Sequence, residues 1–306
     1  MYQGWRGSLA MSVCGRFDTD LLHKKFNIYD MNIKEEYKSY CEENNINFKI
    51  DGNIKSYDET TLFCPAGMQQ FKSFFKDENH KGTISNIQSC LRLNDIDEIG
   101  DGTHLLYFNM IGFFSFRECS VTQAIDYWMG FLKRIGIDPD YVTIHPDKPE
   151  WSQFYEKYGV EVRIDEECIW SDGEIGGYCT EFYKDDIEIG NIVNPLGTCI
   201  DVGFGLERIE MVLNNTPKSK EDTLKETVFK IIESGFEPGN NKQGYILKKL
   251  LRLCHKNNVV VEHHFYEDEI IRQEKILAKW DRLKDKHKDK SKEWWWDTHG
   301  IDLDLI

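Results

Sequence analysis

Two patterns of apolar and polar positions divide this chain. In its first two thirds, short β-rich runs recur: "TTLFCP", "HLLYFNMIGFFSF", "YVTIHP", "GVEVRI", "YCTEFY" and "IEIGNIVN". Their β-branched and aromatic residues, bounded by turn formers, predict strands. Several follow one another without a helix between them, which predicts antiparallel pairing in an α+β fold. Helical signals are fewer here. Residues 33–48 are polar and helix-compatible, and "SVTQAIDYWMGFLKRIG" predicts a helix with Ser120 as N-cap and Gly136 at its C-terminal end. After Asn215 the period changes. "SKEDTLKETVFKIIESG", "GYILKKLLRLCHKNN" and "FYEDEIIRQEKILAKWDRLKDKHKDKSKEWWW" all read as helix, with "RLKDKHKDKSK" as a solvated helix end or loop. We expect an N-terminal extension over residues 1–32, an α+β domain over 33–215 and an all-helical domain over 216–306.

One junction combines both periods. In "IDVGFGLERIEMVL", Ile200 and Val202 alternate with Asp201 as in a half-buried strand, and Leu206, Ile209 and Leu213 then recur at helical spacing. Gly203 and Gly205 let the backbone lie close to a flat ligand. Arg208 falls in the first helical turn, where a cation opposes the helix dipole unless an anion sits nearby. A solvated arginine after an ordinary strand–turn–helix is the plain alternative.

Other residues could join such a site. Arg92 ends "ISNIQSCLR", and an acidic turn leads back into "HLLYFNMIGFFSF", a hairpin with an arginine on one strand and Phe108 on the other. Arg92 could grip a phosphate while Phe108 stacks on a base, or the arginine could simply pair with a neighbouring acid. Glu188 and Asn191 suit a hard cation, but their spacing puts them on opposite strand faces unless Gly190 introduces a bulge. Asp201 could receive an ammonium group, and Trp170 could wall a small pocket or fill the core. Two arginines, an aromatic platform, a magnesium-type pair, a carboxylate and a glycine floor are what carboxylate attack on a nucleotide α-phosphate needs. The chain has no G-x-x-x-x-G-K-[ST] loop, which excludes a P-loop site.

Composition narrows the classes further. The net charge of −15 argues against indiscriminate nucleic-acid binding, although residues 241–306 lean slightly basic. The nine cysteines form no C-x-x-C pair, which fits reduced thiols in the cytoplasm and predicts no zinc site. His263 and His264 are read as a surface pair. No apolar run is long enough for a membrane span, and the N-terminus makes a poor signal-peptide core.

In order along the chain, the motifs resemble the N-terminal part of alanyl-tRNA synthetases, a class II family. "LFCPAGMQQFKSFF" is similar to its LF-x-N-A-G-M-x-Q-F-K segment. "QSCLRLNDIDEIG" followed by "HLLYFNMIGFFSF" is similar to motif 2, and "DVGFGLERI" is similar to motif 3. "CTEFYKD" and "EIGNIVN" resemble C-x-E-I-x-Y-D and E-I-W-N-L-V-F. "PGNNKQGYILKKLLRLCHKNN" and "WWWDTHGIDLDL" resemble segments facing the tRNA acceptor stem. The resemblance implies a class II antiparallel sheet flanked by helices, then helices that read tRNA. It implies ATP binding by Arg92, Asp95, Phe108, Gly205 and Arg208, with Arg92 and Arg208 catalytic. Alanine would meet Trp170, Asn191, Val193, Asp201 and Gly203, and Mg2+ would meet Glu188 and Asn191. Asn240, Asn241, Lys248, Lys249, Arg252 and Asp297 would face the tRNA. Lys248 and Arg252 share a face at i, i+4, with Lys249 nearby and Leu247, Leu250, Leu251 and Cys254 opposite. A solvated amphipathic helix remains the alternative there.

The chain also departs from the family. The glycine-rich insertion between the motif 2 arginine and "ND" is missing. Pro65, Asn109 and Thr103 replace the family's asparagine, glutamate and arginine, and Lys248 and Lys249 replace arginines. The chain ends before the family's editing domain. We expect a monomeric, cytoplasmic ligase that forms alanyl-adenylate and charges the alanine tRNA without editing. The alternatives are an adenylating paralogue with another acceptor, or an inactive binding module.

Overall fold

A computed structural model describes residues 31–301 and residue 303; the expected N-terminal extension lies outside the described residues, apart from its last two positions. The strands are β1 (Asn47–Asp51), β2 (Gly82–Leu91), β3 (Tyr107–Phe116), β4 (Tyr141–Ile144), β5 (Glu161–Ile164), β6 (Ile169–Ser171), β7 (Gly176–Lys184), β8 (Ile187–Val193) and β9 (Cys199–Gly205). The helices are α1 (Ile33–Glu43), α2 (Lys72–Lys76), α3 (Val121–Arg134), α4 (Ser152–Tyr155), α5 (Leu206–Asn214), α6 (Lys220–Glu233), α7 (Lys242–Lys256), α8 (His264–Leu283) and α9 (Lys292–His299).

The fold is α+β, as expected. Among the described residues one nine-stranded sheet runs β1-β2-β3-β9-β8-β7-β4-β5, with β6 beside β7. Its centre is antiparallel; at the two edges, β1 on β2 and β5 on β4 are parallel. The expectation of an antiparallel sheet therefore holds for the centre and not for the edges. Three local expectations also change. Residues 47 and 48 open strand β1, because α1 ends at Glu43. "TTLFCP" is no strand: only an isolated bridge, Lys55 to Phe63, forms there, and Phe63 and Cys64 are buried loop residues. Strand β6 arises inside "CIWSDGEIGG", which carries no alternation long enough to announce it.

The rear face of the sheet is its apolar core. Ser120 and Gln123 form a capping box on α3, which buries Ala124, Ile125, Trp128, Phe131 and Leu132. Trp128 stacks on Phe204 of β9 with ring centroids 4.2 Å apart. Phe204 lies over Gly190, where a Cβ would come within 2.3 Å of its ring. On α1, Tyr37 is fully buried and its hydroxyl donates to the Gly112 carbonyl at 3.2 Å. Beyond residue 216 the core continues without a break: Leu91, Leu106 and Tyr107 share one apolar cluster with Leu224, Val228 and Ile231 of α6 and Leu247, Leu250 and Leu251 of α7.

Candidate active site

Strand register assembles the site on the opposite face. Met110 pairs with Gly205, Gly112 with Gly203 and Phe114 with Asp201 across β3 and β9. Asn191 pairs with Gly203 and Val193 with Asp201 across β8 and β9. Directly paired residues and those two apart share a face, so Asn191, Val193, Asp201, Gly203 and Gly205 line up together. Glu188 joins them through a bulge. Phe182 pairs with Gly190 and Tyr183 with Glu188, which leaves Ile189 as the extra residue. That bulge, conditional in the sequence, brings Glu188 and Asn191 to one pocket despite their odd spacing.

The pocket holds about 850 Å³ of open space, its solvent-facing mouth included. All the residues expected at the ATP, alanine and Mg2+ sites line it: Arg92, Asp95, Phe108, Trp170, Glu188, Asn191, Val193, Asp201, Gly203, Gly205 and Arg208. Sequence reading missed Glu207, Met110, Thr103 and Ala66, which line it too. The paired strand position of Met110 opposite Gly205 could have signalled one of these. A Cβ at Gly203 would come within 3.0 Å of the Met110 sulfur, so glycine keeps the floor open without displacing that side chain.

The two arginines are held by different anchors. Arg92 lies diagonally across the hairpin from Phe108, because Cys90, two residues before it, pairs with Phe108. Its guanidinium sits 5.1 Å from the Phe108 ring centroid, and its Nε donates to the Pro65 carbonyl at 2.9 Å. The hairpin arginine is therefore paired with a ring and a carbonyl rather than with an acid. Arg208 Nη1 donates to the Glu188 carbonyl at 2.8 Å and to its carboxylate at 3.1 Å. Glu188 is thus the anion that permits a cation in the first turn of α5.

The carboxylates differ sharply. Glu207 is buried, and both its oxygens accept hydrogen bonds from Asn109, one from the backbone N–H and one from the side-chain amide, each at 2.8 Å. Ser89 donates to the Asn109 carbonyl oxygen at 3.1 Å and fixes that amide. Burial raises the Glu207 pKa against these donors. Asp201 is 8% exposed and has no hydrogen-bond or ion-pair partner among the described residues. Burial, with Asp172 nearby, raises its pKa to about 7. Lys72 is paired with Asp172 at 2.9 Å and leaves Asp201 uncompensated. A buried carboxylate without a donor calls for a cation to bind there.

Glu188 and Asn191 present one carboxylate and one amide oxygen to the pocket, a donor set that suits Mg2+ shared with phosphates and water. The Glu188–Arg208 contact uses one carboxylate oxygen and leaves the other for a metal.

The residues expected to face tRNA lie elsewhere and do not form the expected cationic row. Lys248 is 4% exposed, and its Nζ donates to Asn240 Oδ1 at 2.9 Å. Arg252 is largely covered, its side chain 9% exposed, and pairs with Glu269 of α8, with Nε 2.6 Å from the carboxylate. These two cations are not free for phosphates, because α8 covers the face expected to meet the tRNA. Lys249 is half-buried over the Tyr245 ring at 5.7 Å. Asn240, Asn241 and Asp297 are exposed. The apolar face is as expected, with Leu247, Leu250, Leu251 and Cys254 buried.

Residues 32–226 match the family described as tRNA synthetases class II (A). Curated relatives include the alanine–tRNA ligase of Chlamydia muridarum, 29% identical over 275 residues, covering 64% of this chain and 31% of the relative. That of Tropheryma whipplei is 28% identical over 273 residues, covering 65% and 31%. The chain therefore spans less than a third of the length of these relatives. A solved Desulfitobacterium hafniense PylSc, a pyrrolysyl tRNA synthetase, overlays with a TM-score of 0.41 at 12% identity, over 62% of this chain and 71% of that one. That overlay is too loose to carry residue roles across. On the extent of the family match, this chain belongs to the class II tRNA synthetases.

Proposed function

We propose that this chain is an alanine–tRNA ligase module: it joins alanine to ATP as alanyl-adenylate and passes the alanyl group to the 3′ end of the alanine tRNA. The observation that carries the reading is Asp201, a buried carboxylate without a partner, opening into a pocket that also holds two arginines. An amino-acid ammonium would supply the missing cation. Trp170, Asn191, Val193 and the Met110-filled floor at Gly203 leave room for a small side chain beside it.

In the first step the alanine carboxylate attacks the ATP α-phosphorus and pyrophosphate leaves. Arg92, already oriented by Pro65 and Phe108, would meet the charge developing on the α-phosphate. The adenine would lie between Phe108 and Arg208, with Asp95 at the mouth. Glu188 and Asn191 would hold Mg2+, which supplies neutralisation of the phosphate charges when bound. No side-chain nucleophile is required.

Asn240, Asn241, Lys249 and Asp297 remain the groups offered to the acceptor stem. The burial of Lys248 and the pairing of Arg252 with Glu269 favour a second reading, adenylation followed by transfer to an acceptor other than tRNA. Charging an acceptor-stem hairpin with labelled alanine tests the choice. Alanyl-RNA formation supports the ligase. Alanine-dependent ATP turnover without RNA charging supports the other acceptor.

A further inference from the structure

We propose that Cys168, Cys179 and Glu181, with the Thr143 hydroxyl beside them, form a binding site for a structural zinc ion.

The site follows from a change of partner along one strand edge. The C-terminal half of β7 pairs with β4, with Thr143 opposite Glu181 and Ile144 opposite Thr180. The N-terminal half of β7 pairs with β6 on that same edge. The Cys179 N–H donates to the Cys168 carbonyl at 2.9 Å, which continues the β6 ladder to the point where β4 leaves off. Cys179 and Glu181 are two apart on β7 and share a face. Cys168 and Thr143 stand opposite them. Side chains from β4, from β7 and from the residue just before β6 thus meet, although no sequence spacing of the zinc-ligand kind connects them.

The distances suit a metal. One donor atom from each of Cys168, Cys179 and Glu181 lies within 4.8 Å of the other two. A tetrahedral zinc, with bonds of about 2.3 Å to sulfur and 2.0 Å to oxygen, sets its ligands roughly 3.5 Å apart, so small side-chain rotations close the shell. Both cysteines are buried. The Cys168 thiol reaches Thr143 Oγ1 at 3.0 Å, which puts a neutral oxygen at the fourth position. Two thiolates and a carboxylate are the donor chemistry of zinc rather than of magnesium or calcium.

The surroundings are those of a supported ligand set. Glu181 Oε2 accepts from the Tyr183 hydroxyl at 2.7 Å, while Oε1 faces the Cys179 sulfur at 3.9 Å. A ligating carboxylate is commonly oriented in this way by a hydrogen bond on its outer oxygen. Tyr183 is itself fixed by stacking on Tyr141, with ring centroids 4.6 Å apart. Glu181 makes no ion pair among the described residues, so it is a half-buried carboxylate that faces two thiols and no cation. On binding, the two thiols release their protons to solvent, and the ion joins β6 to β7 behind Val193 and Trp170, which pack on the same cysteines.

The test is zinc binding by the full chain, purified under reducing conditions and dialysed with zinc and then against a weak chelator. We expect about one zinc per chain by elemental analysis, and cobalt substitution to give a thiolate-to-metal absorption band. Cys168→Ser and Cys179→Ser should each lower retained zinc at least tenfold and remove the band. Tyr183→Phe keeps the stacked ring and should weaken zinc affinity 10- to 100-fold, roughly the penalty for losing an outer hydrogen bond to a ligand. This variant keeps the proposal testable where a cysteine variant fails to fold. Absent zinc with no cobalt band, zinc unchanged in both cysteine variants and in Tyr183→Phe, or a Cys168–Cys179 disulfide in the reduced preparation would each overturn it.

Discussion

Replacing Asp201 with asparagine should make the protein more stable and less active together. Burial raises the carboxyl to about 7, roughly three units above an ordinary aspartate, and each unit is worth about 1.4 kcal/mol. The sign follows from linkage. A folded-state pKa above the unfolded value means that the folded protein binds the proton more tightly. The penalty is therefore absent below about pH 4, grows between pH 4 and 7, and is complete above pH 7. Its ceiling is about 4 kcal/mol, and water entering the pocket reduces it. Asp201→Asn removes the penalty, so denaturant unfolding at pH 8 should show a gain of about 1–4 kcal/mol, and at pH 4 almost none. In pyrophosphate exchange the same variant would lose the proposed charged hydrogen bond to the substrate ammonium, worth about 1.5–3 kcal/mol. Its kcat/KM for alanine should fall roughly 10- to 150-fold while the KM for ATP stays near wild type. A variant that is destabilised at pH 8, or that activates alanine normally, would refute the reasoning.

Three further outcomes follow from the same geometry. In the wild type, kcat/KM for alanine should rise about tenfold per pH unit below pH 7 and level off above it, since the free enzyme must ionise Asp201 to bind; Asp201→Asn should lack that limb, and an identical profile in both would contradict the assignment. Lys249→Glu should reduce charging of an acceptor-stem hairpin with exchange unchanged, whereas Lys248→Glu should destabilise the fold by about 1–3 kcal/mol through loss of the buried lysine's hydrogen bond to Asn240, read by denaturant unfolding; equal RNA defects without destabilisation would mean that Lys248 is exposed after all. Gly190→Ala should destabilise by at least about 1–3 kcal/mol, because its Cβ would displace Phe204 from Trp128; wild-type stability in thermal unfolding would count against the tight approach.

The pocket was legible because its residues sit on strands with clear alternation. Ile200 and Val202 pointing inward put Asp201 on the opposite face, and the β2–β3 hairpin placed Arg92 near Phe108 from sequence pattern alone. Glu188 was legible only conditionally, since a bulge is a pairing event between β7 and β8 and neither strand encodes it singly. What misled was apolar character shared by different structures. "TTLFCP" looks like a strand because Phe63 and Cys64 are buried, yet they lie in a loop that Phe63 anchors into the cluster built by α6 and α7. On α7, helical period separated the leucines correctly but could not show that α8 would cover Lys248 and Arg252, with Glu269 supplied from seventeen residues further on. Glu207 escaped for the reverse reason: a charged residue in a first helical turn reads as solvated, and only the Asn109 amide opposite it shows that it is buried.

The most direct measurement is alanine-dependent exchange of labelled pyrophosphate into ATP by the purified chain, run against each of the common amino acids with Asp201→Asn alongside. The account predicts exchange that requires Mg2+, is fastest with alanine, is weaker with glycine and serine, and collapses in the variant. Exchange with no amino acid, or fastest exchange with a large side chain, would contradict it.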